Sequence, residues 1–338
     1  MYLSDVLDAP ICDFSGSHAP ITTTVVYLAR SYYIPPRMTD EELQKSADAT
    51  LRLADESFQA RRLGQALEQY HTAQQLARDE FNRPIEVEAL SQMARVLMMQ
   101  GKKDEGHQWL EKAAAIASEN DPMGWSRFVG VRGRYQWREN DLTGARETFE
   151  QMYTFCSNNN LWSRAVDAAN MNAIVADTPE DQIVWSRRGI EIAEKAEVDS
   201  WLGPLWNNLA ATYFDIHQYD EALDCYLKAR GYHWQHSDER SKLMADYQIG
   251  MTLRMLGKMS DAARWLRPVL AWAERLEDNV AIAQAAQDLG EVEIASQRKL
   301  SGIALLKQAL SAYRAAKYDE QAPEIVEQLS GRIKQLEN

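Results

Sequence analysis

Residues 209–229 read LAATYFDIHQYDEALDCYLKA, and their spacing decides the fold. Leu209, Ala210 and Tyr213 give a large–small–large face on a first helix. A turn follows around His217 and Tyr219. Ala222, Tyr226 and Ala229 then give small–large–small on a second helix. Small residues let two helices approach closely, and bulky ones fill the space beside them. The stretch is therefore a helical hairpin.

The same order recurs on both sides. Downstream, Ile249, Gly250, Leu253, Gly257, Ala262 and Leu266 form one copy, and Leu289, Gly290, Gly302, Leu306 and Ala309 another. Upstream, Gly133, Leu142, Ala145 and Phe149 fit, as do Met93, Ala94, Leu97, Gly106 and Leu110. Leu53, Ala54, Leu63, Ala66 and Tyr70 open the series. One copy is degenerate: Met171, Val175, Ile183 and Ile190 hold its places, but Asp177-Thr178-Pro179 shortens its link. Thr178 is a good N-cap and Pro179 a good first helical residue. The anchors 53, 93, 132, 171, 209, 249 and 289 lie 38 to 40 residues apart.

This pattern resembles the tetratricopeptide repeat. The usual period there is about 34 residues, so these helices are longer, as in bacterial regulators with a MalT-like repeat region and in kinesin light chain. HEAT repeats also run to about 40–47 residues, but Leu-Ala-x-x-Tyr followed by Tyr-Asp-Glu-Ala-Leu favours the tetratricopeptide type. The resemblance implies an all-α, right-handed superhelical solenoid of about seven hairpins over residues 39–318. Residues 319–338 read as a C-terminal capping helix, with Ile325, Val326, Leu329, Ile333 and Leu336 on one face.

Residues 1–38 fall outside the repeat. They are rich in Thr, Tyr and Pro, and Thr39-x-x-Glu42 has the form of a capping box. Two readings apply: a loose tail, or a start placed too early with Met38 as the true first residue, on one side; on the other, a segment that docks in the groove of the array and occludes it.

Charge and composition narrow the function. The net charge of −13 repels nucleic acid and anionic membrane. No apolar run approaches the roughly 18–20 residues of a membrane span. The acidic residues Asp5 and Asp8 argue against an export signal. Cys12, Cys156 and Cys225 form neither a disulfide framework nor a zinc spacing, which fits a reducing compartment and a cytoplasmic protein. No cofactor fingerprint, nucleophilic triad or paired-carboxylate motif occurs, so no enzyme is expected. Gly130-Val131-Arg132-Gly133 lies within a helical pattern and is no phosphate loop. His233 and His236, at i and i+3, lack a third metal ligand. Cys225 reads as a small hydrophobe beside Tyr226.

The resemblance also carries a frame for the concave groove. With each anchor as position seven, positions two, five, six, nine, twelve and thirteen face inward. The groove then takes Arg95, Arg127, Arg134, Trp137, Arg138, Asn170, Asn207, Asn208, Phe214, Gln248 and Met251. Arg127, Arg134 and Arg138 share one helical face. Beside the amides and apolar side chains they suggest a groove for an acidic peptide. The alternative is that the arginines pair with acids of the neighbouring repeat and form a wet face. Trp185, Trp206, Trp265 and Trp272 recur at helical spacing as core candidates, while Trp125, Trp162 and Trp201 sit where they would staple neighbouring hairpins. The expected function is a protein-binding adaptor or scaffold. The alternative is the ligand-sensing component of a bacterial regulatory system acting on a separate effector.

Overall fold

The computed structural model describes residues 46–338. The expectations for residues 1–38 and for the Thr39–Glu42 capping box lie outside the described residues. Among those described, there are sixteen α-helices, one 3-10 turn and no strand. The chain divides into two compact units, with the division passing through one helix.

Unit 1 holds the described residues up to Asp181, together with Glu191–Trp201. Its hairpins pair α1 (Ala47–Gln59) with α2 (Leu63–Asp79), α3 (Arg83–Met99) with α4 (Lys103–Ile116), and α5 (Pro122–Arg138) with α6 (Leu142–Asn158). It continues with α7 (Trp162–Ile174), and the next helix in the chain, α8 (Pro179–Lys195), is the divided one. Unit 2 holds Gln182–Ile190 and Leu202–Asn338. It pairs α9 (Leu202–Asp215) with α10 (Tyr219–His236), α11 (Glu239–Met255) with α12 (Met259–Arg275), and α13 (Asn279–Ala295) with α14 (Lys299–Ala315). A short α15 (Tyr318–Gln321) leads into α16 (Pro323–Glu337). The helices thus form seven hairpins.

The turns explain the regular spacing. Each first helix except α7 ends in a residue with positive φ: Arg61, Gly101, Asn140, His217, Gly257 and Gln297. The N–H after each returns to a carbonyl five residues back, from Arg62 to Ser57, Lys102 to Leu97, Asp141 to Gln136, Gln218 to Tyr213, Lys258 to Leu253 and Arg298 to Glu293, all at 2.9 Å. This is the Schellman closure of a helix C-terminus. The degenerate fourth hairpin uses other chemistry. Thr178 takes extended backbone and its hydroxyl accepts from Asp181 N, with Pro179 at the helix start.

Packing follows the large–small pattern within each unit. In unit 1 each helix from α1 to α4 packs on its successor, α5 packs directly on α3, and α6 joins α5 to α7. Ala54, Ala66, Tyr70, Ala73, Ala145 and Phe149 are fully buried. In unit 2 successive helices from α9 to α14 pack on one another, and α16 packs on α14. A Cβ placed on Gly302 would lie 2.8 Å from Gly290 O, so α13 and α14 meet backbone to backbone there. Helix α16 buries Val326, Leu329 and Ile333, and Arg332 holds Glu291 of α13 by two bonds of 3.0 Å.

Some sequence expectations change. Leu53, taken as an anchor, is 47% exposed, while Leu51 and Ala54 beside it are buried. Trp185, Trp206, Trp265 and Trp272 are only half-buried. Alanine and glycine occupy the close helix contacts, where an indole cannot fit. Three of these indoles are covered by cations instead: Arg188 on Trp185, Lys228 on Trp206 and Arg230 on Trp265, at 4.5, 4.1 and 5.1 Å. Trp125 and Trp201 are buried, whereas Trp162 is 39% exposed.

The backbone contact of α13 with α14 has a direct test. Gly302→Ala should overpack it and cost about 1–3 kcal/mol in chemical denaturation. Gly331→Ala on α16, where a Cβ meets nothing, should cost nothing. Equal effects of the two would contradict the close approach.

Candidate functional site

Each unit presents its own row of first helices, and the two rows differ in chemistry. In unit 1 these are α1, α3, α5 and α7. Their inward charges are locked together. Glu88 of α3 accepts from Arg164 Nη2 of α7 at 2.7 Å and faces Arg127 Nε of α5 at 3.5 Å. Arg134 Nη2 donates to Asp167 of α7 at 2.6 Å, and its Nη1 donates to Gly130 O at 3.0 Å. Side chains of all five charged residues are at most 12% exposed. An ion pair this deep is hard to break, because removing one partner strands a buried charge.

Arg127 and Arg134 were expected to offer their charge to an acidic ligand. The structure pairs both with acids of neighbouring hairpins, and it buries them instead of leaving a wet face. Asn170 is buried beside them on α7. Arg95 lies half-buried with its guanidinium 4.8 Å from the Phe58 ring. Arg138 is exposed and stacks 4.8 Å from the ring of half-buried Trp137. A second polar knot ties the first two hairpins together. Gln92 Nε2 donates to Tyr70 OH at 3.0 Å and to Asp55 at 3.2 Å. Burial, then the Asp55 carboxylate, push the Tyr70 hydroxyl well above the usual tyrosine range.

In unit 2 the first helices are α9, α11 and α13. Asn207, Asn208, Phe214, Gln248 and Met251 are all half-buried there. Phe214 packs edge-on against Tyr219, with ring centroids 5.2 Å apart. The side-chain amides of Asn207 and Gln248 have no hydrogen-bond partner among the described residues. Farther along, Asp288 of α13 accepts from Tyr247 OH and faces Arg254 Nε, both at 2.8 Å. Burial raises the Asp288 carboxyl above its usual range, although Arg254 and Tyr247 oppose this.

A polar column runs one residue before each anchor. In unit 1 it holds Gln92 and Asn170, and in unit 2 Asn208, Gln248 and Asp288. Val131 interrupts it. Sequence reading named the amides of this column on Asn170, Asn208 and Gln248. It missed Glu88, Arg164 and Asp167. Glu88 occupies the second frame position, the same as Arg127 one copy later, and that match was available as a signal. Arg164 and Asp167 fall out of the frame because the degenerate copy shifts its register.

The remaining candidates from the sequence are Cys156, Cys225 and His233. Burial raises the thiols of Cys156 and Cys225 to about 12 and about 11, so both stay protonated and inert. Burial lowers the His233 imidazole below its usual range, and its Nδ1 lies 2.9 Å from Ser237 Oγ. No cluster of three or more metal-ligating residues occurs among the described residues. No helix among them is long and apolar enough to cross a membrane.

Comparison with solved structures places this architecture. The tetratricopeptide repeat sensor protein of the signal-transduction ATPases with numerous domains from Pyrococcus horikoshii matches 87% of this chain, with a TM-score of 0.70 and 13% identity. This chain spans 45% of that protein. The apo form of RapI matches 80% of this chain and 98% of its own, at TM-score 0.54 and 13% identity. Aspartyl phosphate phosphatase F from Bacillus subtilis matches 79% of this chain and 70% of its own, at TM-score 0.54 and 11% identity. No family model matches the sequence, and no curated protein matches it significantly. The fold is an all-α solenoid of tetratricopeptide type.

Two predictions follow from the buried charges. Glu88→Ala should destabilise unit 1 by about 3–5 kcal/mol, because Arg164 is left buried without its carboxylate; a loss below 1 kcal/mol would show the pair to be solvated. For Asp288 the folded pKa is raised, so its contribution to stability is fullest below the unfolded value and falls as pH rises through the folded one. Asp288→Asn removes that dependence. Denaturation at a series of pH values should show the variant gaining on the wild type as pH rises from ~3 through the aspartate range; a gap that moves the other way contradicts a raised pKa.

Proposed function

We propose that the chain is a binding module that takes an extended segment of another protein on the first-helix face of unit 2. The observation that carries this reading is the pair of half-buried side-chain amides at Asn207 and Gln248, which no described residue satisfies. An amide offers both donor and acceptor, the pattern an extended backbone needs. Phe214 and Met251 supply adaptable apolar contact beside them. In unit 1 Arg127, Arg134 and Arg164 are paired with acids, and on the unit 2 face the ligand is selected by its backbone and apolar side chains more than by acidity.

The module acts as an adaptor or scaffold in the cytoplasm, without catalytic groups of its own. A sensor role is the second reading. It is favoured by the likeness to the archaeal ATPase protein, whose repeat region is described as a sensor. In that reading, ligand binding acts on a separate effector.

Peptide selection from a displayed random library tests the proposal. Enriched extended peptides should bind the Asn207→Ala/Gln248→Ala variant ~10-fold or more weakly, the loss of one or two net hydrogen bonds. The variant's melting temperature should stay unchanged. Failure to enrich any peptide, or equal affinity for the variant, would overturn the reading.

A further inference from the structure

A cavity of about 600 Å³ is lined by residues of α10, α11 and α12. Its volume falls within the roughly 300–1,000 Å³ of small-molecule sites. Leu227 of α10, Ile249 and Leu253 of α11, and Trp265 and Pro268 of α12 form apolar walls. Asp246, Asp261 and Arg264 are the charged lining residues, two carboxylates against one guanidinium.

Three features of this cavity suit an apolar molecule that carries a hydrogen-bond donor. First, Asp246 has a side chain only 15% exposed, and both of its donors fall on one oxygen: Arg230 Nε at 2.6 Å and Trp234 Nε1 at 3.1 Å. Its Oδ2 accepts from nothing among the described residues. A carboxylate oxygen this little exposed gains from a second donor. Second, Pro268 lies inside α12. Proline has no N–H, so the carbonyl of Arg264, four residues earlier, lacks its helical donor. Third, Trp265 presents an aromatic wall for the apolar body of a ligand. Arg230 already stands 5.1 Å from that ring and 4.7 Å from Trp234, which fixes the wall in place.

We propose that this cavity binds an apolar amine in its ammonium form. The ammonium donates to Asp246 Oδ2 and to the Arg264 carbonyl, and the apolar body packs on Leu227, Ile249, Leu253 and Trp265. The site shares helix α11 with the proposed peptide face but no residue with it, so either proposal can fail alone.

Calorimetry on the full chain with 2-phenylethylammonium, and with 2-phenylethanol as its neutral isostere, tests the idea. Saturable binding of the ammonium is expected, with the alcohol ~10-fold or more weaker, the value of a charge-assisted bond. Asp246→Asn should erase that preference. Leu227→Trp, at a position already 45% exposed, should fill the cavity and abolish binding while the chain stays folded. Equal affinity for amine and alcohol would overturn the proposal. So would the absence of saturable heat at millimolar amine, or undiminished binding in Leu227→Trp.

Discussion

Everything in this molecule depends on how closely the helices of a hairpin approach. Gly290 and Gly302 let α13 and α14 touch backbone to backbone. The Leu266 side chain sits where a Cβ on Gly250 would stand, and the Phe149 ring does the same at Gly133. Ala54, Ala66, Ala73, Ala222 and Ala262 are fully buried for the same reason. A single amphipathic hairpin cannot bury all of its apolar surface alone. Stacking on its neighbours completes the core, and the repeat pattern records that requirement.

Two consequences of this constraint were readable in the sequence. The spacing of anchors located seven hairpins. The link at Asp177-Thr178-Pro179 identified the irregular one, where the structure shows a capped extended entry in place of the Schellman turn. The tryptophans were misread, because periodicity marks a helical face without saying how much room that face has. Indoles settled at half-buried positions under Arg and Lys side chains.

The arginines illustrate a different limit. Their positions on a common face of α5 were legible, but their partners were not. Glu88 and Arg164 lie 76 residues apart, and Arg134 and Asp167 lie 33 apart. Such pairings depend on the register between successive hairpins, which one-dimensional spacing does not contain. Asn208 and Gln248 needed no such register. They share one frame position, and both stay half-buried in the structure.

The two rows of first helices therefore divide their roles. In unit 1 the inward charges hold α3, α5 and α7 together. In unit 2, on the proposed reading, the amides of Asn207 and Gln248 and the side chains of Phe214 and Met251 meet the ligand. Oxidative footprinting with a selected peptide measures this division directly, because methionine and phenylalanine side chains react readily when solvent reaches them. Bound peptide should protect Met251 and Phe214 in unit 2 and leave Met98 and Met99 of α3 unchanged. Protection of Met98 and Met99, with Met251 and Phe214 unaffected, would contradict the account.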